Sequence, residues 1–567
     1  MMKERKSGGF PLILGYLGLF LIFEGIVILV PLLTLLFYKD EWQGCLNFVL
    51  PSVSAITLGL LLYFIFGFGK EKAKFKKNED ALLLVLIWVF AVLLGAFPFF
   101  LTKFQLINFG NSDMDLGMSF SESCFESISG YATVGLTVFP SKAYLVSDEI
   151  TNVALDYCPT YPASHLFLFH RAWLQFVGGI GLILIVTSVI SSRNNFRLYF
   201  AEGHSDKVVP NLAKSAKIIL LVYTGWVLVG ALALWLCGMS PFDAICHAIS
   251  ALATGGFGTR ALNVYAYSEM GIWNGLYSVS SPIPMEAVLC VLMLAGATNF
   301  LLHTFLLRGR LKDFAKDIEI QFSFVFFVLL TLICSLSIAF LYRSNPYAVE
   351  SEGIDMLTAF RYGIFHSVTS MSTTGFCNYP DVRCLGEVGV FVGWILMAVG
   401  GGVGSTSGGI KQYRVALLAK EFYWSIKYKN SSKKTINPHV VYRLGEEKEV
   451  DPSSVGEARN YALLNLTFFV CGALALMFFP GVSFSEAFNE FMMGFSSTGL
   501  TYLDLVAYKA NYSVGCYHGV LWVINIGMFL GRLEILPLYF AFRRIAIDPI
   551  EGIIEKKKRA KINSEVN

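Results

Sequence analysis

Charge is what this sequence most lacks. Of its 567 residues only 15% are Asp, Glu, Lys or Arg, and 55% are hydrophobic. A soluble chain usually carries about 25% charged residues, so the composition excludes an ordinary soluble protein and indicates an integral membrane protein. The net charge of +3 is too small to argue for nucleic acid as a partner. No CxxC pair occurs. The 11 cysteines are scattered, several in apolar segments (Cys246, Cys290, Cys334, Cys471), and read as small packing residues rather than a zinc or redox framework. No nucleophile–base pair and no cluster of metal-ligand residues stands out, which argues against an enzyme. A cleavable leader is also missing. After Lys3-Glu4-Arg5-Lys6 the apolar run continues from Phe10 to Tyr38 without a small-residue cleavage site, too long for a signal peptide.

Long apolar runs are abundant instead. A membrane-crossing helix needs about 20 apolar residues. Phe10–Tyr38, Phe48–Phe68 and Ala81–Leu101 qualify, and the basic run at 70–77 between the second and third places that loop on the cytoplasmic side. A pattern of span, short segment, Gly-containing turn and span follows four times. Its short segments are Ser119–Tyr131, Pro241–Leu252, Ile354–Met371 and Ser483–Phe495; its second spans are Phe167–Ile190, Pro284–Leu307, Val388–Val399 and Val520–Phe542. The short segments cannot cross and read as re-entrant helices, tolerated at membrane depth only where they are buried or line a cavity. Ser240-Pro241-Phe242-Asp243 and Ser483-Phe484-Ser485-Glu486 carry helix-start chemistry: a hydroxyl cap, then an acid near the positive end of the helix. The basic stretches at 191–217, 308–312 and 555–559, and a long charged loop at about 421–460, then fall on the cytoplasmic side, as do both termini. The expected fold is an all-α integral membrane protein with two leading spans and four repeats around a central pore, about ten crossings in all. The expected divisions are 1–78 (leading spans), 79–195, 196–312 and 313–430 (pore repeats 1–3), 431–460 (cytoplasmic loop) and 461–567 (repeat 4 and tail).

The turns are the centre of this pattern. They read Thr133-Val134-Gly135, Thr254-Gly255-Gly256, Thr373-Thr374-Gly375 and Ser497-Thr498-Gly499. Gly135, Gly256, Gly375 and Gly499 recur about every 120 residues, and an internal repeat takes precedence over other readings. Thr-Val-Gly between apolar segments resembles the filter of potassium channels, where backbone carbonyls replace the ion's water shell. On that reading the carbonyls of Thr133, Val134, Thr254, Gly255, Thr373, Thr374, Ser497 and Thr498 are the ion ligands. The bland alternative is four ordinary Gly turns between helices.

Three further features bear on function. The run Gly400-Gly401-Gly402-Val403-Gly404-Ser405-Thr406-Ser407-Gly408-Gly409-Ile410-Lys411 is too rich in Gly for a firm helix. No Gly-Lys-Ser/Thr follows, so it is not a phosphate loop. It suits a flexible intramembrane loop that obstructs the pore, with Gly402, Gly404, Ser405, Thr406, Gly408, Gly409 and Lys411 as gating residues, or else a helix-packing patch. Arg532 lies in the last apolar span, where a cation needs a partner or a wet cavity. It either acts as a barrier or bonds the carbonyls of the Gly-rich loop, or it forms a simple ion pair, for instance with Glu534. Glu24, Glu122 and Glu126 are intramembrane carboxylates, open to a structural or a coupling role. His247 and His366 read as helix hydrogen-bonders.

Taken in order, Phe125–Gly135, Gln175-Phe176-Val177-Gly178-Gly179-Ile180-Gly181, Ser240–Phe257, Gly404–Lys411 and Gly531-Arg532-Leu533-Glu534-Ile535 resemble the Trk/Ktr/HKT superfamily of potassium transporters, in particular TrkH/TrkG-type bacterial uptake subunits. The resemblance implies potassium uptake through one pore per chain, in the inner (cytoplasmic) membrane among membrane lipid. It also implies a homodimer, a gating loop at 400–409, a barrier at Arg532 and a separate cytosolic nucleotide-binding regulatory subunit. Potassium is the only ligand implied. Ser497 in place of Thr and Gly255 in place of Val or Thr depart from the pattern. The alternative function is a sodium- or proton-coupled potassium symporter; a non-transporting sensor and a membrane-embedded enzyme are the remaining classes.

Overall fold

The computed structural model describes residues 9–67, 75, 78–102, 117–138, 164–181, 212–260, 263–270, 281–342, 354–379, 381–429, 439–533 and 535–547. The basic stretch expected at 555–559, most of those at 70–77 and 191–217, and the end of the span expected over Phe167–Ile190 lie outside these residues.

Helices α1 (Phe10–Leu29) and α2 (Cys45–Leu62) form an antiparallel pair. Small residues let the backbones meet: Gly18 faces Gly59, Gly25 faces Ser52, and the Ser52 hydroxyl donates to Gly25 O at 2.5 Å. In a membrane, where apolar burial does not favour one helix partner over lipid, such close approach supplies the attraction.

The repeating pattern follows. Helix α3 (Glu79–Leu101) precedes the short α4 (Phe120–Tyr131) and α5 (His165–Ile180). Then come α6 (Leu212–Leu236), the short α7 (Pro241–Leu252), α8 (Tyr265–Met270), α9 (Ile283–Ala297) and α10 (Phe300–Leu307). Beyond α11 (Leu311–Lys316) lie α12 (Ile318–Leu341), the short α13 (Met356–Met371) and α14 (Gly386–Val399). Helix α15 (Gln412–Lys429) and the hairpin of β1 (Val440–Arg443) and β2 (Glu446–Glu449) come next. The chain closes with α16 (Pro452–Met477), the short α17 (Phe484–Phe495), α18 (Leu505–Asn511), α19 (Val514–Leu533) and α20 (Ile535–Phe542). The short helices are buried along most of their length, whereas α6, α12 and α16 expose Leu228, Phe324 and Leu466. Apolar residues outside and polar ones inside is the arrangement lipid requires.

Among the described residues, eight helices are long and apolar enough to cross a membrane. A ninth is broken: the span expected over Pro284–Leu307 is two helices, α9 and α10, bent by 113°. Asn299 caps α10 by accepting from Leu301 N, so the bend has a local cause that continuous apolarity hides. The long charged loop expected at about 421–460 is largely ordered instead, as the end of α15, the hairpin and the start of α16. Its turn places Leu444 and Gly445 at positive φ (52° and 83°), the form that matches strand twist. The hairpin is held at α11 and the start of α12: Tyr442 Oη donates to Asp313 of α11, and Leu444 N to Asp317, which caps α12.

The expected serine caps are present. Ser240 and Ser483 cap α7 and α17, and Ser119 caps α4 in a reciprocal box with Glu122. Each second helix packs on the next short helix: α5 on α7, α9 on α13, and α19 back on α4. Between α14 and α17, Trp394 Nε1 donates to Asn489 Oδ1 at 2.6 Å. The order is cyclic, so four repeats of one chain close a ring.

Candidate functional site

The four Gly turns meet at the centre of that ring. Each is built the same way. Thr133, Thr254, Thr373 and Ser497 have φ of 52°, 52°, 54° and 59°; Gly135, Gly256, Gly375 and Gly499 have 91°, 74°, 90° and 71°. One residue at negative φ separates each pair. Alternating handedness turns successive peptide planes so that their carbonyls face one side. The left-handed region is strained for Thr and free for Gly. Each turn overdetermines it with the same backbone bonds: Thr133 N to Gly130 O and Val134 N to Ser129 O in the first, with equivalents in the other three. The hinge glycine's amide donates to the Ser129 hydroxyl in the first turn and the Thr369 hydroxyl in the third. In the fourth, where Met493 stands at that place, it donates to Met493 O.

Glycine at the hinge has a second reason. A β-carbon on Gly135 would strike Gly255 O; on Gly256, Thr374 O; on Gly375, Thr498 O; on Gly499, Val134 O. The carbonyls of Val134, Gly255, Thr374 and Thr498 therefore form a closed circle, each against the next repeat's glycine. Beside it stand four buried hydroxyls, of Thr133, Thr254, Thr373 and Ser497. Serine at 497 keeps the hydroxyl and loses only a methyl. Thr133 Oγ1 and Ser497 Oγ have no hydrogen-bond partner among the described residues, a costly state for buried polar atoms unless something else satisfies them.

The Gly-rich loop runs directly against these hydroxyls. Gly408 N donates to Thr373 Oγ1 at 2.7 Å, and a β-carbon on Gly408 would meet Ser496 O. Thr406 Oγ1 accepts from Thr254 Oγ1 at 3.0 Å and lies 3.1 Å from Leu252 O and 3.0 Å from Gly296 O. The loop thus touches the second, third and fourth turns. Its other bonds run to the α9–α10 break: Gly402 N donates to Ala297 O, Thr406 N to Gly296 O, and Phe300 N to Gly404 O. Ser405 Oγ donates to Gly402 O, and Lys411 Nζ to Ser407 O. Gly400, Gly404, Gly409 and Lys411 all have positive φ. The loop is therefore held by specific hydrogen bonds as well as by close packing.

Arg532 bonds this loop. Nη1 donates to Thr406 O at 2.7 Å and Nη2 to Gly178 O of α5 at 2.5 Å. Glu534 lies outside the described residues.

The carboxylates have structural partners. Glu24 accepts from Tyr131 Oη. Glu122 closes the cap of α4 and also pairs with Lys509 at 2.5 Å. Glu126 pairs with Arg171 at 3.2 Å and accepts from Thr137 Oγ1 and Val138 N, which pins the strand that leaves the first turn. Glu490 does the same in the fourth, accepting from Tyr502 N and Leu503 N at 2.9 Å. Sequence reasoning missed Glu490, although it sits nine residues before its glycine as Glu126 does. His247 and His366 occupy that place in the other repeats. His247 Nδ1 lies 2.8 Å from Asp243 O and His366 Nδ1 lies 2.8 Å from Tyr379 Oη. Among the described residues no cluster of His, Cys, Asp and Glu could hold a metal ion.

Comparison with known proteins gives the family of the chain. The chain is 28% identical to the "Trk system potassium uptake protein TrkH" of Salmonella typhimurium, over 92% of this chain and 96% of that one. It is 28% identical to the protein of the same name in Vibrio parahaemolyticus, over 93% and 97%. The crystal structure of the potassium transporter TrkH from Vibrio parahaemolyticus superposes with a TM-score of 0.70 at 25% identity, covering 93% of this chain and 97% of that chain. Residues 146–549 match the TrkH family described as "Cation transport protein". With multiple apolar helices, a ring closed by four repeats and a match to that family over most of its length, this multi-pass membrane protein belongs to the TrkH family of cation transport proteins, which are transporters and not enzymes.

Proposed function

We propose that the chain takes potassium up across the cytoplasmic membrane, through a pore whose filter is the circle of four turns. The observation that carries this reading is the cyclic contact of Val134, Gly255, Thr374 and Thr498 carbonyls with the hinge glycines, beside buried hydroxyls of Thr133 and Ser497 that want a ligand. Carbonyls of Thr133, Thr254, Thr373 and Ser497 add a second layer. A ring of preplaced oxygens offsets the loss of hydration for an ion it fits. The short helices α4, α7, α13 and α17 end at the turns, so their negative C-terminal ends favour a cation there.

The Gly-rich loop, 400–409, is the gate, and Arg532 its latch. Loop amides and hydroxyls occupy Thr254 and Thr373, two of the four hydroxyl positions. A cation passing the ring would meet this loop and the guanidinium behind it. Relatives carry the name "potassium uptake protein", which supports potassium as the ion. Both termini cytoplasmic, a homodimer and a separate nucleotide-binding cytosolic subunit complete the reading. Symport driven by sodium or protons finds less support, because Glu24, Glu122 and Glu126, the carboxylates that motivated it, are bound to Tyr131, Lys509 and Arg171.

The test is rubidium and sodium flux into proteoliposomes holding the purified full chain and its Gly135→Ser variant. Rubidium flux well above sodium flux in the wild type, and a lower ratio in the variant, is expected. Equal passage of both ions by the wild type would sink the filter reading. Potassium current that requires sodium or a proton gradient would move the assignment to a symporter.

A further inference from the structure

The second turn breaks the pattern: Gly255 stands where the other turns have Val134, Thr374 and Thr498. Glycine there removes both the side chain that packs the turn from behind and the β-carbon that restricts its peptide plane. The missing bulk is supplied from another helix. Gln175 of α5 is fully buried, and its amide occupies the space a Gly255 β-carbon would take, with Nε2 and Oε1 each 2.6 Å from that position. Gln175 Nε2 donates to Gly255 O at 2.6 Å, the oxygen that faces Gly135 in the circle. Among the described residues no side chain donates to the corresponding oxygens of Val134, Thr374 or Thr498.

We propose that Gln175 is a selectivity-determining positioning residue: its side-chain amide replaces the absent side chain at 255 and holds the Gly255 carbonyl at the ring. The inference rests on the filter reading above. One fact argues against mere packing. Gln175 Oε1 is buried without a partner among the described residues, so an apolar side chain of the same length would fill the space at lower cost. The donor, not the bulk, is what a glutamine adds. A carbonyl oxygen has two lone pairs; one is taken by the amide and the other stays available to an ion. The second quarter of the ring is then held from outside, while its neighbours are held by their own side chains and by Gly contacts.

Three variants of the full chain in proteoliposomes test this, read as the ratio of rubidium to sodium flux, with thermal stability and gel-filtration position of each preparation. Gln175→Met keeps length and removes the donor. It is expected to lower the ratio by about 2- to 10-fold, the worth of one net hydrogen bond, with unchanged thermal stability. Gly255→Val alone is expected to lower yield or ratio, because its side chain meets Gln175. Gln175→Ala combined with Gly255→Val rebuilds the Val134 arrangement and is expected to recover most of the wild-type ratio. A Gln175→Met protein with the wild-type ratio overturns the proposal. So does a double variant no better than Gly255→Val, which also decides the matter if Gln175→Met fails to fold. A wild-type chain that passes rubidium and sodium equally overturns the filter reading and this proposal with it.

Discussion

Thr406→Val separates the proposed gate from the proposed filter. The substitution keeps shape and removes one hydroxyl. That hydroxyl accepts from Thr254 and donates toward Leu252 O or Gly296 O, at 3.0–3.1 Å. One hydrogen can serve one acceptor at a time, and Thr254's own hydrogen also has Ala253 O at 2.7 Å, so at most two bonds are lost, one accepted and one donated. Each is worth roughly 0.5–1.5 kcal/mol net, giving about 1–3 kcal/mol. If they hold the loop against the second turn and are absent when it swings away, the loop equilibrium shifts toward release by about 5- to 100-fold, at 1.4 kcal/mol per tenfold. Arg532 still binds Thr406 O and Thr406 N still binds Gly296 O, so the lower end is expected. Rubidium flux per reconstituted protein should rise about 5-fold while the rubidium-to-sodium ratio stays put. Thr406→Ser, which retains the hydroxyl, should match the wild type. A Val variant whose flux equals or falls below that of the wild type at unchanged stability would refute the tether argument. So would an equal rise in Val and Ser.

Other perturbations read out neighbouring parts of the site. Arg532→Met deletes two charge-assisted bonds to carbonyls of α5 and the loop, each worth about 1.5–3 kcal/mol; flux should rise more than in Thr406→Val, measured in the same vesicles. Gly375→Ala sets a β-carbon against Thr498 O at a φ of 90°, a strain of about 1–3 kcal/mol, and should lower the rubidium-to-sodium ratio in the flux assay. Arg171→Ala leaves the buried Glu126 carboxylate without its cation; a loss of about 3–5 kcal/mol is expected, seen as poor yield and a lowered Tm. Tyr442→Phe removes the hairpin's bond to Asp313, on an exposed surface. Protease cleavage near the hairpin should rise there with little change in Tm.

Much of the ring was legible because it depends on features that recur. Four turns at equal spacing, Ser caps three residues before an acid, and one arginine in an apolar span all act through local chemistry, and each stands in the structure with that chemistry. What was not legible depends on residues distant in sequence. Nothing near Glu126 announces Arg171, and nothing near Gly255 announces Gln175; both partners sit on α5 and reach the turns only once the ring has closed. Glu122 is ambiguous in the sequence for a different reason. Its Ser119-x-x-Glu122 spacing is the sign of a capping box, yet an acid in an apolar setting first suggests function. The α9–α10 break escaped because hydropathy averages over Thr298 and Asn299, although Asn299 is a good helix start. The hairpin at 440–449 hid in a charged stretch where Leu444-Gly445 was its one turn signal.

The departures from fourfold symmetry follow a common logic. A ring made of four identical chains must repeat every residue; a ring made within one chain can let each quarter differ, provided each loss is made good locally. Gly255 loses a side chain and Gln175 fills its place. Met493 lacks the hydroxyl of Ser129 and Thr369, and its own carbonyl receives the hinge amide instead. Ser497 drops a methyl and keeps its oxygen. The freedom thus gained is spent on one side. Because the quarters differ, a single loop from the third repeat can bond Thr254 and Thr373 and press on Ser497, while Arg532 of the fourth repeat ties that loop to α5 of the first. Four loops from four identical quarters would collide at the axis. A loop placed in this way, whether or not it gates as proposed, needs the asymmetry that the linked repeats allow, and the shared backbone geometry of the four turns is what lets the ring tolerate it.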